Sequence, residues 1–109
     1  ILADGSIINK VGTYILALAA KDNNIPFYVA SETIKISPKS INEAKLEEGN
    51  RREIAEKLPK KIKAENLYFD VTKPSLITAL ITEEGVIKPE EIKTKAQELL
   101  KYNTAFFKI

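Results

Sequence analysis

Residues 1–30, ILADGSIINKVGTYILALAAKDNNIPFYVA, carry the pattern that decides the fold. Ile1 to Ala3 reads as the end of a strand, and Asp4-Gly5-Ser6 supplies turn chemistry. Asn9 is a good N-cap for a helix running from Lys10 to about Lys21. Within that helix Val11, Ile15 and Leu18 fall at helical spacing, while Ala17, Ala19 and Ala20 keep it slim enough to lie close on a sheet. Asp22-Asn23-Asn24 ends it. Ile25-Pro26-Phe27-Tyr28-Val29-Ala30 is a short apolar run rich in strand formers, with Pro26 at the first position, where proline is tolerated. The run is nearly continuous rather than alternating, as in a parallel strand covered on both faces. Strand end, turn, helix and strand together predict a right-handed, parallel βαβ unit.

Further along, the pattern loosens between Ser37 and Asn66. This stretch reads as a charged surface excursion with a helical turn or two over Arg51–Leu58. Leu67-Tyr68-Phe69 predicts a third strand. Pro74 near a first turn, with Leu76, Ile77, Leu80 and Ile81 as an apolar face, predicts a helix ended by Gly85. Val86-Ile87 is a short strand or extended link. Lys88-Pro89-Glu90-Glu91 opens a last helix that reaches about Tyr102 on Ile92, Ala96, Leu99 and Leu100. The tail ends in Phe106, Phe107 and Ile109, apolar side chains that must dock on this domain or on a partner. A second copy of the chain is the expected partner.

Composition narrows the function. The chain has 109 residues, the size of one domain. Its 17 basic and 15 acidic residues leave a net charge of +2, too balanced to imply nucleic acid or an anionic membrane. Arg51 and Arg52 are the only arginines, so bidentate readout of bases is not expected. With no Cys and no His, thiol catalysis, a Ser-His triad, and Cys or His metal sites are excluded within these residues. No cofactor or metal is expected. No run approaches the roughly 18 apolar residues of a membrane span, and Asp4 interrupts any signal-peptide core. The bias toward Ile and Lys, with little Gln, resembles a thermophile's cytoplasmic protein. The chain contains no Met and opens on Ile1 inside an apolar stretch. The expectation is one domain over residues 1–109, truncated on its N-terminal side, with the excursion at about 37–66.

The sharpest chemical constellation is Gly5-Ser6-Ile7-Ile8-Asn9-Lys10-Val11-Gly12-Thr13. It places an amide, an ammonium and helix-start N–H groups at the carboxyl end of a predicted parallel strand, the edge where open α/β sheets bind ligands. Helix N-termini favour anions, so a phosphate fits there, with Lys10 as a point charge. An ordinary capped helix with an exposed Lys accounts for the same residues, because neither GxGxxG nor the P-loop pattern is present. Lys35, in Ser31-Glu32-Thr33-Ile34-Lys35, follows the next strand and emerges at the same edge, so two lysines converge. Glu32 is expected to orient a lysine. Lys57, Lys60, Lys61 and Lys63 are diluted by Glu53, Glu56 and Glu65 and read as a solvated face. Asp70 reads as a cap for the helix that follows it.

Gly-x-x-x-Asn-Lys-x-Gly-Thr, an Ala-rich helix, the PFYV strand and Glu-Thr-x-Lys occur here in order. Phe69-Asp70-Val71-Thr72 with Pro74, and Leu76 to Gly85, follow them. Over about residues 1–88 this resembles the superfamily of translation initiation factor 2B alpha, beta and delta subunits, ribose-1,5-bisphosphate isomerase and methylthioribose-1-phosphate isomerase. The resemblance implies a Rossmann-like α/β domain, a parallel sheet flanked by helices, at the carboxyl-terminal end of that fold. It implies that Asn9 and Lys10 contact a sugar phosphate, joined by Lys35 as in the ribose-bisphosphate branch. It places a catalytic Cys and Asp upstream of Ile1, so these residues alone would be inactive. It also implies dimers or larger assemblies, and a phosphorylated sugar or nucleotide as ligand. Two departures stand out: Lys73 replaces a usual Pro, and a long Lys/Glu-rich final helix follows where the isomerases are expected to lack one. That divergent end tilts the expectation toward a factor 2B-like, ligand-binding and oligomerising subunit. The alternative is the substrate-binding part of an isomerase.

Overall fold

The structure, a computed structural model, describes the backbone of residues 1–107 and the side chains of residues 1–102. The elements in chain order are β1 (Ile7–Lys10), α1 (Thr13–Asp22), β2 (Tyr28–Ala30), β3 (Phe69–Thr72), β4 (Ala79–Thr82), β5 (Gly85–Ile87) and α2 (Ile92–Phe107). Short 3-10 turns lie at Thr33–Lys35, Arg51–Glu53, Pro74–Leu76 and Pro89–Glu91. β1 and β3 form an antiparallel pair with Ile7 opposite Thr72 and Asn9 opposite Asp70. The second sheet has the order β2-β4-β5, parallel between β2 and β4 and antiparallel between β4 and β5. The fold is α/β with mixed sheets.

Four expectations change. Ile1 to Ala3 is not a strand: the Leu2 N–H donates to Ser6 O and the Gly5 N–H to Leu2 O, closing a turn. Ile7-Ile8-Asn9-Lys10 is a strand rather than a helix entry, so Asn9 caps nothing. β-branched Ile7 and Ile8 suit a pleated surface, and Gly12 at φ 111° stops the helix from extending back into them. Because β1 pairs with β3 and β2 pairs with β4, residues 1–30 do not form a βαβ unit within one sheet. Residues 76–81 are the fourth case. Pro74–Leu76 makes a single 3-10 turn and Ala79–Thr82 is a strand. A short apolar run does not reveal its period, and Leu80 is wholly buried between two hydrogen-bonded neighbours.

Ile7, Ile36, Ile77, Leu80, Ile87, Ile92 and Ala96 form the core. Full burial of Leu80 and of Ile92 contributes about 1.5–3 kcal/mol each. The last helix begins where expected, lays Ile92 and Ala96 on that core, and is pinned by a 2.6 Å ion pair from Lys95 to Glu84. Its backbone continues past Tyr102 to Phe107. The side chains of Phe106 and Phe107, and all of Ile109, on which the expected tail contact rests, lie outside the described residues. No described helix is long and apolar enough to cross a membrane.

α1 buries the unexpected side. Ala17 is its buried residue, whereas Val11, Ile15 and Leu18 are exposed, Ile15 by 69%. The small Ala17 lets the helix backbone sit close, leaving the larger residues outside. The charged excursion is a surface segment whose helical content is the single turn Arg51–Glu53. It is anchored by the Tyr68 hydroxyl donating to Glu53 at 2.7 Å and the Asn66 amide donating to Asn50 O at 2.8 Å. The radius of gyration is 16.9 Å, against about 13 Å for a compact domain of this length. With extents of 53 × 41 × 20 Å the molecule is a broad, thin slab.

Gly5 joins the first turn to the start of α2. Its φ is 92°, and a Cβ there would sit 2.7 Å from the Pro89 carbonyl oxygen. Gly12 has a similarly left-handed φ but open space around it. Gly5→Ala therefore destabilises by strain plus overpacking, about 2–4 kcal/mol, and Gly12→Ala by strain alone, about 1–2 kcal/mol. Denaturant melts of the two variants check the order; equal losses would show that the Pro89 contact is not tight.

Candidate functional site

The β1–β3 register puts Asn9 directly opposite Asp70. The Asn9 side-chain amide donates to Thr13 Oγ1 at 3.1 Å, and the Thr13 hydroxyl donates to the Lys10 carbonyl at 2.8 Å. Asp70 Oδ2 accepts the N–H of Gly12 at 2.8 Å and that of Tyr14 at 3.1 Å. Asp70 thus caps α1, which precedes it in the chain, and not a helix that follows it. Sequence order hides this, because the cap arrives from a strand 58 residues away. The helix-start N–H groups expected to be open to a phosphate are taken at Gly12 and Tyr14. Asp70 Oδ1 is buried and has no hydrogen-bond partner among the described residues.

Alternation along β1 turns Lys10 to the opposite face from Asn9. Its ammonium lies 5.0 Å from the centre of the Tyr68 ring. The Tyr68 hydroxyl, and after it the Asn66 amide, hold the Glu53 carboxyl below its ordinary range, and Glu53 in turn pushes the Tyr68 phenol up. Lys10 and Lys35 make no ion pair; the ion pairs among the described residues belong to Lys95.

Lys35 ends the 3-10 turn that follows β2, and Glu83 holds that turn. The Thr33 N–H donates to both Glu83 carboxylate oxygens at 3.0 Å, and the Thr33 hydroxyl donates to Oε1. The Glu32 carbonyl, not its carboxylate, takes part, accepting the Lys35 N–H at 3.0 Å. The orienting role expected of Glu32 falls to Glu83. That residue was missed because residues 76–84 read as a helix. The hairpin signal was Gly85 closing a two-residue turn after Thr82.

Asn9, Thr13, Ser31 and Lys35 line one cavity of about 490 Å³ between β1, α1 and β2. That lies inside the roughly 300–1,000 Å³ typical of small-molecule sites. Lys10 is not part of its wall. The arrangement offers an amide donor, hydroxyls and an ammonium, the groups that bind an oxyanion. Among the described residues no three metal-ligating side chains converge.

Hydrogen bonds from the Thr33 hydroxyl, then from its own and the Thr33 backbone amides, hold the Glu83 carboxyl below its ordinary value. A folded-state value below the unfolded one means that the anion stabilises the fold. The contribution is complete above the ordinary glutamate range near about 4.3 and disappears as pH falls through the lowered value. Thermal melts across that window are expected to fall more steeply for the native chain than for Glu83→Gln. Identical slopes would show that Glu83 does not hold the Lys35 turn.

Comparison with known proteins fits this geometry. The model of the initiation factor 2 subunit family matches residues 1–89. Methylthioribose-1-phosphate isomerase of Thermotoga neapolitana is 48% identical over 96 residues, covering 82% of this chain and 28% of that protein. Ribose 1,5-bisphosphate isomerase of Archaeoglobus fulgidus is 44% identical over 106 residues, covering 94% of this chain and 34% of that protein. The crystal structure of 5-methylthioribose 1-phosphate isomerase from Pyrococcus horikoshii superposes with a TM-score of 0.73 at 31% identity, over 94% of this chain and 30% of that one. The delta subunit of translation initiation factor eIF-2B from A. fulgidus superposes with 0.70 at 35% identity, over 88% of this chain and 30% of that one. The A. fulgidus isomerase match covers 94% of this chain and so runs into α2, and the final helix does not set this chain apart from the isomerases. The chain spans about a third of the length of these relatives, and it belongs to the initiation factor 2 subunit family.

Proposed function

We propose that this chain is the phosphate-binding part of a sugar-phosphate aldose–ketose isomerase acting on ribose 1,5-bisphosphate or methylthioribose 1-phosphate. The observation that carries the reading is the meeting of Asn9 and Lys35 in one cavity. The Asn9 amide donates to a phosphate oxygen, and Lys35 supplies the charge from a turn that Glu83 holds. The final helix, now shared with isomerases, no longer favours a factor subunit. Lys35 favours the bisphosphate, because the superfamily's ribose-bisphosphate branch carries a matching lysine. The shift of hydrogen between adjacent sugar carbons falls to groups elsewhere in the polypeptide, in the cytoplasm.

Lys10, expected to share the phosphate with Lys35, stands on the opposite face of β1 over Tyr68 and outside the cavity wall, which leaves Asn9 and Lys35 to hold the phosphate. In the full-length protein, Lys35→Ala is expected to weaken ribose 1,5-bisphosphate binding by about 1.5–3 kcal/mol in calorimetry, and Lys10→Ala to change it far less. Unchanged affinity in Lys35→Ala removes the phosphate site.

The second reading, a regulatory subunit like those of initiation factor 2B, is favoured by the likeness to the delta subunit. Binding without turnover of either sugar phosphate by the full-length protein would select it. Both readings include a dimer built through Asn103 to Ile109. Sedimentation that stays monomeric at high concentration, with or without those residues, would exclude that dimer.

A further inference from the structure

The charged excursion, whose lysines read as a solvated face, folds around a cavity of its own. It measures about 370 Å³ and shares no lining residue with the cavity of Asn9 and Lys35. The Asn50 side-chain oxygen accepts the Arg52 N–H at 2.9 Å and so caps the turn Arg51–Glu53. Glu53 accepts from the Tyr68 hydroxyl and the Asn66 amide and takes no part in the wall. The chain then doubles back where the Ile62 N–H donates to the Pro59 carbonyl at 3.0 Å, and Lys63 and Ala64 line the cavity together with that turn. Arg51, Arg52 and Lys63 are the cations of the wall, and Glu56 is its one carboxylate. None of these four forms an ion pair among the described residues. Ala55, Leu58, Ile62 and Ala64 make the apolar part, with Ile62 55% exposed and Leu58 39%.

We infer that this second cavity binds a small organic phosphate, a phosphate monoester joined to an apolar body. Charge, lining and size each point to that ligand. Three cations against one carboxylate give the wall a net charge of +2, the value of the entire chain, so the charges elsewhere cancel. A phosphate monoester carries about −1.5 to −2 at pH 7 and matches it. Guanidinium forks pair bidentately with phosphate oxygens, and both arginines of the chain stand here. An inorganic ion would leave Leu58 and Ile62 in water, whereas an apolar body on the phosphate covers them. The volume lies within the roughly 300–1,000 Å³ of small-molecule sites, and the wall has no aromatic ring on which the bases of a nucleic acid would stack. The backbone that carries the two arginines is held in advance by Asn50 and by the grip of Tyr68 and Asn66 on Glu53. This site does not depend on what Asn9 and Lys35 bind.

Phenylglyoxal, which reacts with guanidinium groups, tests this in the full-length protein, because Arg51 and Arg52 are adjacent and one peptide reports both. Their modification is followed by mass spectrometry with phenyl phosphate, inorganic phosphate or phenol present. Excess phenyl phosphate is expected to slow it at least about fivefold, inorganic phosphate at the same concentration less than about twofold, and phenol not at all. Equal protection by phenyl phosphate and inorganic phosphate, or protection by neither, overturns the proposal. Protection by phosphatidic acid vesicles alone would assign the cations to a lipid surface and overturns it too. Ile62→Ser, at an exposed position, is expected to reduce the protection by phenyl phosphate to the inorganic level, and unchanged protection in that variant counts against the apolar body. Lys35→Ala is expected to leave the protection unchanged. Its loss in Lys35→Ala would assign the phosphate to the other cavity, which overturns this proposal and leaves the function proposed above standing.

Discussion

One carboxylate oxygen, Asp70 Oδ2, ties the start of α1 to the β1–β3 pair. By accepting the N–H groups of Gly12 and Tyr14 it fixes α1 against the β1–β3 pair. It also satisfies donors that a helix start leaves open and places negative charge where the helix dipole favours it. A cap of this kind is worth about 0.5–2 kcal/mol, comparable to burying one aliphatic side chain. Here it also holds the left-handed turn at Gly12, without which β1 would not give way to α1. Asn9, opposite Asp70, inherits its position from that arrangement.

The same charge divides the site. An anion approaching the start of α1 meets a carboxylate already bonded to the most accessible donors. Lys35, free of ion pairs and standing on the far wall, is the attractive end. Coulomb energy near a protein surface reaches about 4 kcal/mol at 4 Å, so the two ends of the cavity differ strongly in their attraction for negative charge. Glu83 controls that end at one remove, because it grips Thr33 rather than the lysine.

Local chemistry was legible in the sequence where the chain itself decides the conformation. The Asp4-Gly5-Ser6 turn, the end of α1 at Asn23 and the entry to α2 at Pro89 follow from capping and turn residues that act on their own neighbours. Asn9 and Lys35 line one cavity, whereas Lys10, expected to converge with Lys35, lies outside that wall over Tyr68. What could not be read is non-local. The pairing of β1 with β3, the cap from Asp70 and the grip of Glu83 depend on partners 50 or more residues away. The Leu76–Thr82 run was too short to declare its period, and its strand identity is set by β2 and β5 on either side. The exposed face of α1 misled for another reason: apolar spacing reports which residues want cover, not whether these 109 residues provide it.

The contact between Gly5 and Pro89 has a consequence for how the chain reaches its native state. It closes a loop over most of the sequence, and the contacts of Asp70 and Glu83 close loops only somewhat shorter. Loop-closure entropy is spent before such contacts return anything, so folding is slowed by topology. During synthesis the first turn and β1 emerge long before β3, β4 and Pro89 exist to hold them. Ile7 and Ile8, and the apolar face of α1, must therefore wait uncovered. The cavity wall is among the last features to form, and a stall before β3 would leave a strand-forming apolar segment free to pair with whatever is near.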